Sequence, residues 1–314
     1  MKKVLITGGA GFIGSNLAEQ FIQNGWDVTL LDIKKDPKNI EEFVDKVEYV
    51  QMDVRSTDLG EFFREIGPNG IIHLAAVSRV LWCEERQEEC LSINVNGTRN
   101  VLNSAAKLQD KPWVIFSSSR EVYGNQNMFP VKETYNRYPV SVYAKSKCTG
   151  EDIIRNYANE KGLMAIILRL SNVYGNERDI PDRVIPKFII RALQGKKITI
   201  YGRNKFFDFT FVSDAISAII KASEKIENFD ERTIDVYNIC TGKPTRLEEL
   251  AEMISDKVGI SVDVKYMKQQ QYEVRHFYGD NTKAHKYLGW ETRWNIENGL
   301  QHTVNRYKRF LEVL

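Results

Sequence analysis

The 314-residue chain is 42% hydrophobic and 27% charged, the balance of a soluble globular protein with room for one large domain or two modest ones. Its net charge of +2 argues against nucleic acid or an anionic membrane as a partner. No apolar run reaches the ~18 residues of a membrane span, and the first residues do not read as a signal peptide.

The four cysteines, Cys83, Cys90, Cys148 and Cys240, lack the spacing of a metal site, so we expect no bound metal. Their pattern favours a reducing, cytoplasmic compartment. Cys83 and Cys90 flank an acidic stretch, and we expect ordinary thiols on or near a helix rather than a redox pair.

An apolar run, Val4–Ile6, is followed by glycines at positions 8, 11 and 14. The pattern predicts a strand, a tight turn and a helix. Gly8 permits the turn, Gly11 lets a ligand approach the backbone, and Gly14 lets the helix pack against the strand. The unpaired N–H groups of such a helix start suit a pyrophosphate. A glycine-rich turn in some other α/β protein is the alternative.

A second apolar strand, Val28–Leu31, ends at Asp32. A carboxylate at this place holds a ribose 2′-OH and repels a 2′-phosphate, so the sequence predicts NAD rather than NADP. A third strand, Val47–Val50, leads to Asp53, which either contacts the adenine or caps a helix over Ser56–Ile66.

Strands and helices continue to alternate, which predicts an α/β fold with a doubly wound parallel sheet of the Rossmann type. Further elements are predicted at Gly70–Ala76, Ser92–Leu108, Trp113–Ser117, Lys145–Lys161 and Ala165–Leu170. After Asn172 the pattern changes. We expect residues 172–207 and 241–314 to form a smaller, discontinuous substrate-binding lobe over a dinucleotide-binding domain of residues 1–171 and 208–240.

The second half of the chain alternates less regularly. Helices are predicted at Val184–Leu193, Leu247–Val258, Asn281–Leu288 and Ile296–Leu311, strands at Ile198–Tyr201 and Val236–Cys240, and a strand followed by an amphipathic helix within residues 208–225.

Tyr143 and Lys147 lie four residues apart at a predicted helix start, so their side chains share one helical face. An ammonium beside a phenol stabilises the phenolate and lowers the tyrosine pKa from about 10 toward neutrality. Ser119, at a predicted strand end, can bridge the same substrate oxygen. The three residues predict a general base for a sugar hydroxyl, or an acid in the reverse direction.

On these residues the chain resembles the extended short-chain dehydrogenases/reductases, specifically the NAD-dependent nucleotide-sugar epimerases and dehydratases. The matching motifs run in order along the chain: TGGAGFIG (7–14), Asp53-Val54, HLAA (73–76), NGT (96–98), SSSREVYG (117–124), YAKSK (143–147), LRLSNVYG (168–175), VIPKFI (184–189) and LGW (288–290). The resemblance implies that Tyr143, backed by Lys147 and Ser119, removes the 4-OH proton of a sugar while C4 loses hydride, which gives a 4-keto intermediate.

The resemblance also implies the NAD contacts and the assembly. The cofactor residues are Gly8, Gly11, Phe12, Ile13, Gly14, Asp32, Asp53, Val54, Leu74, Ala75, Ala76, Tyr143 and Lys147. A homodimer would form through helices near 92–108 and 145–161. Ile153, Ile154 and Tyr157 suit that interface, but they also suit packing against the chain's own sheet.

Arg120 and Glu121 occupy the positions at which family members differ by reaction. Typical 4-epimerases are implied to carry small, non-acidic residues there, and 4,6-dehydratases an acid–base pair of Asp and Glu. Glu121 matches the base, but a guanidinium such as Arg120 does not donate a proton near neutral pH. Arg120 therefore binds a substrate carboxylate, lowers the pKa of Glu121, or forms a local ion pair that shapes the pocket.

For the diphosphate, the resemblance implies contacts from Asn172 and Arg275. The arginine that usually precedes the returning strand is missing, because residues 207–209 read Phe-Asp-Phe. Arg203 and Lys205 are the candidates to replace it.

For the sugar, the resemblance implies contacts from Ser78 and Arg79, although Arg79 suits a solvated loop equally well. Lys187 and Tyr201 fall in the region that holds the nucleobase, whereas core packing is the expected role of Phe188.

The sequence thus predicts a UDP-sugar 4-epimerase. The alternative is a 5,6- or 4,6-dehydratase, or a decarboxylase, with Glu121 as base. A non-catalytic NAD-binding protein is disfavoured, because a pure binder does not need the set of Ser119, Tyr143 and Lys147.

Overall fold

The structure is a computed structural model that describes residues 1–229 and 233–313. Its strands are β1 (Lys3–Thr7), β2 (Asp27–Asp32), β3 (Glu48–Gln51), β4 (Gly70–His73), β5 (Trp113–Ser119), β6 (Ala165–Leu170), β7 (Asn172–Tyr174), β8 (Ile198–Tyr201), β9 (Phe206–Phe207), β10 (Phe209–Phe211), β11 (Ile234–Ile239), β12 (Thr245–Arg246) and β13 (Val264–Met267).

Helices lie between most of these strands. They are α1 (Phe12–Gln23), α2 (Leu59–Ile66), α3 (Val80–Glu85), α4 (Gln87–Leu91), α5 (Gly97–Ala106), α6 (Val142–Lys161), α7 (Val184–Leu193), α8 (Val212–Ile226), α9 (Leu247–Val258), α10 (Thr282–Leu288) and α11 (Ile296–Val313), with 3₁₀ segments at Lys38–Lys46 and Arg120–Tyr123 and a π-helical segment at Ser92–Asn96.

The central sheet has seven parallel strands in the order β3-β2-β1-β4-β5-β6-β11. The strand order reverses between β1 and β4, and in open parallel sheets ligands bind beyond the carboxyl ends at such a point. The predicted doubly wound sheet is therefore confirmed.

Side chains of the sheet alternate between two apolar layers. Val4 and Ile6 of β1 and Ile72 of β4 belong to one buried cluster. Leu5 of β1 and Ile71 of β4 belong to the cluster on the other face. Helices cover both faces, which is why these strands read as continuous apolar runs.

The second half of the chain adds short strand pairs whose pairing the sequence does not predict, although the strand at β8 and one within residues 208–225 are as expected. β7 pairs with β10 and β8 with β13, both parallel, and β9 pairs with β12 antiparallel. Several of these strands have only two or three residues, too few for a visible periodicity. The division into two discontinuous domains stays a prediction.

Some element boundaries differ from those expected. β4 ends at His73 rather than Ala76, because its pairing with β1 ends where Thr7 lies opposite His73 and β1 gives way to the glycine loop. α2 begins at Leu59, three residues late, after a turn in which the Ser56 hydroxyl accepts a hydrogen bond from the amide of residue 58.

Cys83 and Cys90 form a disulfide, so the expectation of ordinary thiols is wrong. The backbone leaves helical geometry at Arg86, between α3 and α4, and the two Cα atoms lie 5.2 Å apart. That separation suits a bridge, which sequence spacing alone does not indicate. Cys148 and Cys240 are free thiols.

Candidate active site

A cavity of about 980 Å³ opens at the carboxyl ends of the central strands. Most of the sequence-predicted site residues line it: Gly8, Gly11, Phe12, Ile13, Gly14, Asp32, Asp53, Val54, Leu74, Ala75, Ala76, Ser78, Arg79, Ser119, Arg120, Glu121, Tyr143, Lys147, Asn172, Lys187 and Tyr201. The fold thus brings together segments from both halves of the chain.

The glycine loop forms a cradle that only glycine fits. Gly8 has φ +70°, and a Cβ at Gly14 would lie 2.3 Å from the Gly8 carbonyl oxygen. The Gly11 amide closes the loop on the same carbonyl at 3.0 Å, and α1 begins one residue later. Because Gly11 has no side chain to cap the helix, the first amides of α1 are left for an anion such as a pyrophosphate.

Asp32 ends β2 with its carboxylate fixed by backbone. Oδ2 accepts a hydrogen bond from the Ala10 amide at 3.0 Å, and Oδ1 accepts one from the Lys34 amide at 3.2 Å. The Lys34 ammonium donates to the Ala10 carbonyl at 2.8 Å. This arrangement presents a preorganised acceptor for ribose hydroxyls.

Asp53 pairs with Arg55 at 2.6 Å, and hydrogen bonding from that guanidinium holds the pKa of Asp53 below its ordinary value. Asp58, not Asp53, precedes α2. The alternative of a helix cap is therefore wrong for Asp53, and its contact with the adenine stays a prediction.

Helix α6, which carries Tyr143 and Lys147, is anchored at its first turn. The Ser141 hydroxyl accepts a hydrogen bond from the Ala144 amide at 3.0 Å, and the Glu84 carboxylate accepts one from the Val142 amide at 2.7 Å. One turn into the helix, the Lys147 ammonium donates to the Ser117 carbonyl at 2.8 Å. Tyr143 and the end of β5 therefore meet at the cavity wall.

Burial controls the acidity of these groups. Desolvation raises the pKa of Tyr143, while the Ser119 hydroxyl and the Arg183 guanidinium offset part of that rise. The prediction of a lowered tyrosine pKa is wrong for the ligand-free protein, because loss of water disfavours the phenolate more than nearby cations favour it. Burial also lowers the pKa of Lys147 to about 8, with Glu151 opposing the shift.

Arg120 and Glu121 form a buried ion pair beside this site. Nη2 of Arg120 lies 2.7 Å from Oε1 of Glu121 and 3.4 Å from Oδ1 of Asn172. The guanidinium lies over two aromatic rings, 4.5 Å from the Phe207 centroid and 5.7 Å from that of Phe277. The local ion pair, one of the three roles weighed from the sequence, is present, and binding of a substrate carboxylate by Arg120 stays a prediction.

Two polar contacts cross the cavity. The Arg183 guanidinium donates to the Ser78 hydroxyl at 2.7 Å, and Arg79 forms an ion pair with Asp182. They join the loop after β4 to the segment before α7, so Arg79 is not merely a solvated loop charge.

Lys187 and Tyr201 lie together on the far side of the cavity, with the ammonium 5.9 Å from the ring centroid. Phe188 is buried in the core, as expected. His73 is also buried, between the hydroxyls of Thr7 and Thr98 at 2.7 and 2.9 Å, and burial lowers its pKa to about 3.

Arg203 and Arg275 do not line the cavity. The Arg203 guanidinium stacks on Tyr266, 3.8 Å from the ring centroid, and Arg275 is exposed. Lys205 is buried in an ion pair with Glu273 at 2.8 Å. The expected diphosphate arginines thus stay predictions that this arrangement does not favour.

A profile of the NAD dependent epimerase/dehydratase family matches residues 4–240. The chain belongs to this family. A Methanocaldococcus jannaschii protein named "Putative UDP-glucose 4-epimerase" is 35% identical over 97% of this chain and 98% of its own length. A UDP-N-acetyl-alpha-D-glucosaminuronate decarboxylase of Bacillus cytotoxicus is 32% identical over 98% of each protein.

A solved structure of similar fold shows the same family relationship. The crystal structure of UDP-glucose 4-epimerase from Thermotoga maritima with UDP-glucose matches with a TM-score of 0.91 and 30% identity, over 98% of this chain and 99% of that chain. NAD is the cofactor of the family, and the glycine cradle and the fixed Asp32 carboxylate fit a dinucleotide.

Sequence reasoning missed part of the site. Asp179, Asp182, Arg183, Gln270 and Tyr272 line the cavity without having been predicted. Asp179, Asp182 and Arg183 could have been found from their position just before the VIPKFI motif (184–189). Gln270 and Tyr272 could have been found from their place in the polar run before residue 275. Across residues 1–229 and 233–313, no helix is long and apolar enough to cross a membrane, and no cluster of metal-binding side chains is present.

Proposed function

We propose that this chain is a UDP-sugar 4-epimerase that works through a 4-keto intermediate. The observation that carries the proposal is the convergence of Tyr143, Ser119 and Lys147 on a cavity that also contains the dinucleotide cradle. The similarity to UDP-glucose 4-epimerases over nearly the whole chain supports it.

The chain's own residues manage the proton. Tyr143 takes it from the sugar 4-OH as general base and returns it as general acid, while Ser119 orients the same oxygen. Lys147 donates to the Ser117 carbonyl, and because it shares a helical face with Tyr143, its ammonium is proposed to favour the phenolate. Bound NAD supplies the reversible hydride acceptor. The glycine loop and Asp32 hold the pyrophosphate and ribose, and Asn172, Lys187 and Tyr201 face the nucleotide.

A panel of UDP-glucose, UDP-N-acetylglucosamine and UDP-glucuronate tests the reaction class. After incubation with the purified enzyme, chromatography with mass spectrometry should find a new isomer of unchanged mass. Loss of water would indicate a dehydratase, and loss of carbon dioxide a decarboxylase. If no sugar of the panel changes, the proposal fails.

A decarboxylase is the second candidate. It is favoured by the similarity to a UDP-sugar decarboxylase at 32% identity and by the presence of Glu121 in the cavity. Its signature would be carbon dioxide release from the uronate alone.

We further infer a cytoplasmic homodimer, and both parts rest on the family resemblance, because the Cys83–Cys90 disulfide removes the cysteine argument for a reducing compartment. Ile153 and Ile154 pack against the chain's own sheet and do not contribute to such an interface. The exposed sides of α5 and α6 remain its candidate surface, and sedimentation velocity would test it.

A further inference from the structure

We propose that Arg120 determines reaction specificity by holding Glu121 away from the carbons next to C4. This role rests on the proposed 4-epimerase function and deepens it. Arg120 is thus a positioning residue. Its ion pair keeps Glu121 from removing a proton next to C4, so that the 4-keto intermediate reacts only by taking hydride back.

A free carboxylate would be harmful at this place. Once C4 is a ketone, the hydrogen on C5 becomes acidic, because its bonding electrons can move into the carbonyl to form an enolate. A carboxylate such as Glu121 that takes this proton opens side reactions such as inversion at C5. Epimerisation at C4 without side reactions at C5 therefore requires that the Glu121 carboxylate be engaged by a hydrogen-bond donor and not act as a base.

The geometry shows how Arg120 occupies it. Arg120 and Glu121 are the first two residues of the 3₁₀ turn that follows β5. The Glu121 amide donates a hydrogen bond to the Ser119 hydroxyl at 3.2 Å. The side chains of the pair are only 9% and 11% exposed, so little water competes for the carboxylate. A buried charge-assisted hydrogen bond of this kind is strong.

Arg120 has little freedom to leave. Phe207 and Phe277 flank its guanidinium, and Asn172 accepts from the same nitrogen that binds Glu121. Among the described residues, Nη1 has no hydrogen-bond partner.

Deuterium exchange measures this role directly. The enzyme is incubated in D₂O with UDP-4-keto-6-deoxyglucose, a ketone that bypasses the hydride step, and NMR follows exchange at C5. Wild-type exchange should stay near the buffer rate. In Arg120→Met it should rise by roughly 10²-fold, the lower end of what a positioned general base contributes.

Two matched variants complete the test. Arg120→Lys keeps the charge and should keep exchange low, and Arg120→Met/Glu121→Gln should return exchange to the wild-type rate. Rapid exchange in the wild type, or equal rates in wild type and Arg120→Met, would overturn the role of Arg120. Should Arg120→Met not fold, Arg120→Gln serves with the same expectations. The panel of UDP-sugars tests the epimerase proposal separately, since exchange on the ketone needs no turnover.

Discussion

At the scale of single residues, the burial of Lys147 near Tyr143 serves the proposed activity but lowers the stability of the folded protein. Lys147 is 4% exposed, and its pKa falls from 10.5 to about 8. Below pH 8 both the folded and the unfolded lysine are protonated, so folding carries the full cost of burying the ammonium. Between pH 8 and 10.5 the unfolded chain binds more protons, and stability rises with pH.

Lys147→Met should therefore be more stable than wild type at pH 7 by up to about 3 kcal/mol, at 1.36 kcal/mol per pKa unit. It should also lose most of its turnover. Denaturant unfolding at several pH values should show the difference shrink between pH 8 and 10.5. Lys145→Met, on an exposed face of α6, is the control and should change little. A pH-independent difference would contradict the explanation.

Tyr143→Phe should lower kcat by about 10²–10⁴-fold, because it removes the group that exchanges the proton. NAD released from the denatured protein should match wild type, since the cradle is untouched. Tyr157→Phe removes a hydroxyl of the same helix that bonds Asn103 at 2.6 Å, and it should leave kcat unchanged. Retained turnover in Tyr143→Phe would reject the mechanism.

Residues whose placement follows from local spacing could be predicted from the sequence. The glycine loop, Asp32 and the four-residue step from Tyr143 to Lys147 are examples, since turn and helix geometry fix them. Arg183 could not be found in this way, because its partner Ser78 lies about a hundred residues away along the chain. The sign of the Tyr143 pKa shift also depended on burial, which only the fold reveals.

At the scale of elements, the turn from β1 to α1 is the least tolerant part of the fold. Gly14→Ala places a Cβ 2.3 Å from the Gly8 carbonyl oxygen, which is backbone and does not yield. We expect the variant to lose bound NAD. The matched control is Gly60→Ala in α2, where a Cβ meets only the Ser104 hydroxyl at 3.7 Å. It should keep NAD and gain about 0.5–1 kcal/mol. NAD content and thermal unfolding together decide the outcome.

The disulfide joins α3 to α4 and packs with Val142 and Tyr143. By the chain-entropy account, a loop this short contributes about 2–3 kcal/mol. Cys83→Ser/Cys90→Ser should lower the free energy of unfolding by that amount under oxidising conditions. A reductant should remove the difference, and Cys148→Ser serves as control. Equal stability under oxidising conditions would exclude a stabilising bridge.

Elements of regular length were well predicted, and α7, α9 and β6 have the expected bounds. The wrong predictions concern elements whose structure is determined by tertiary contacts. The single helix expected at Ser92–Leu108 is a π-helical segment followed by α5, and β9 and β12 exist only because they pair with each other.

At the scale of the whole molecule, Arg79 and Asp182 connect loops that contribute to opposite walls of the cavity. Both side chains are about two-fifths exposed, so the pair adds little to stability. Asp182→Asn should raise the KM for the UDP-sugar several-fold and shift unfolding by less than ~1 kcal/mol. The KM effect should fade at high salt.

The charge-swapped variant Arg79→Asp/Asp182→Arg separates pairing from either charge alone. Partial recovery of KM relative to both single variants would support a contact across the cavity. Additive losses would show that each residue acts independently.

The Glu84 carboxylate accepts the first amide of α6, and Tyr143 is the next residue. The position of Tyr143, the proposed general base, therefore depends in part on a side chain from another helix. Substitutions at Glu84, which does not line the cavity, would therefore retune the reaction geometry without altering any of the proposed ligand contacts. This places part of the enzyme's evolvability in a residue that a search limited to ligand contacts would overlook.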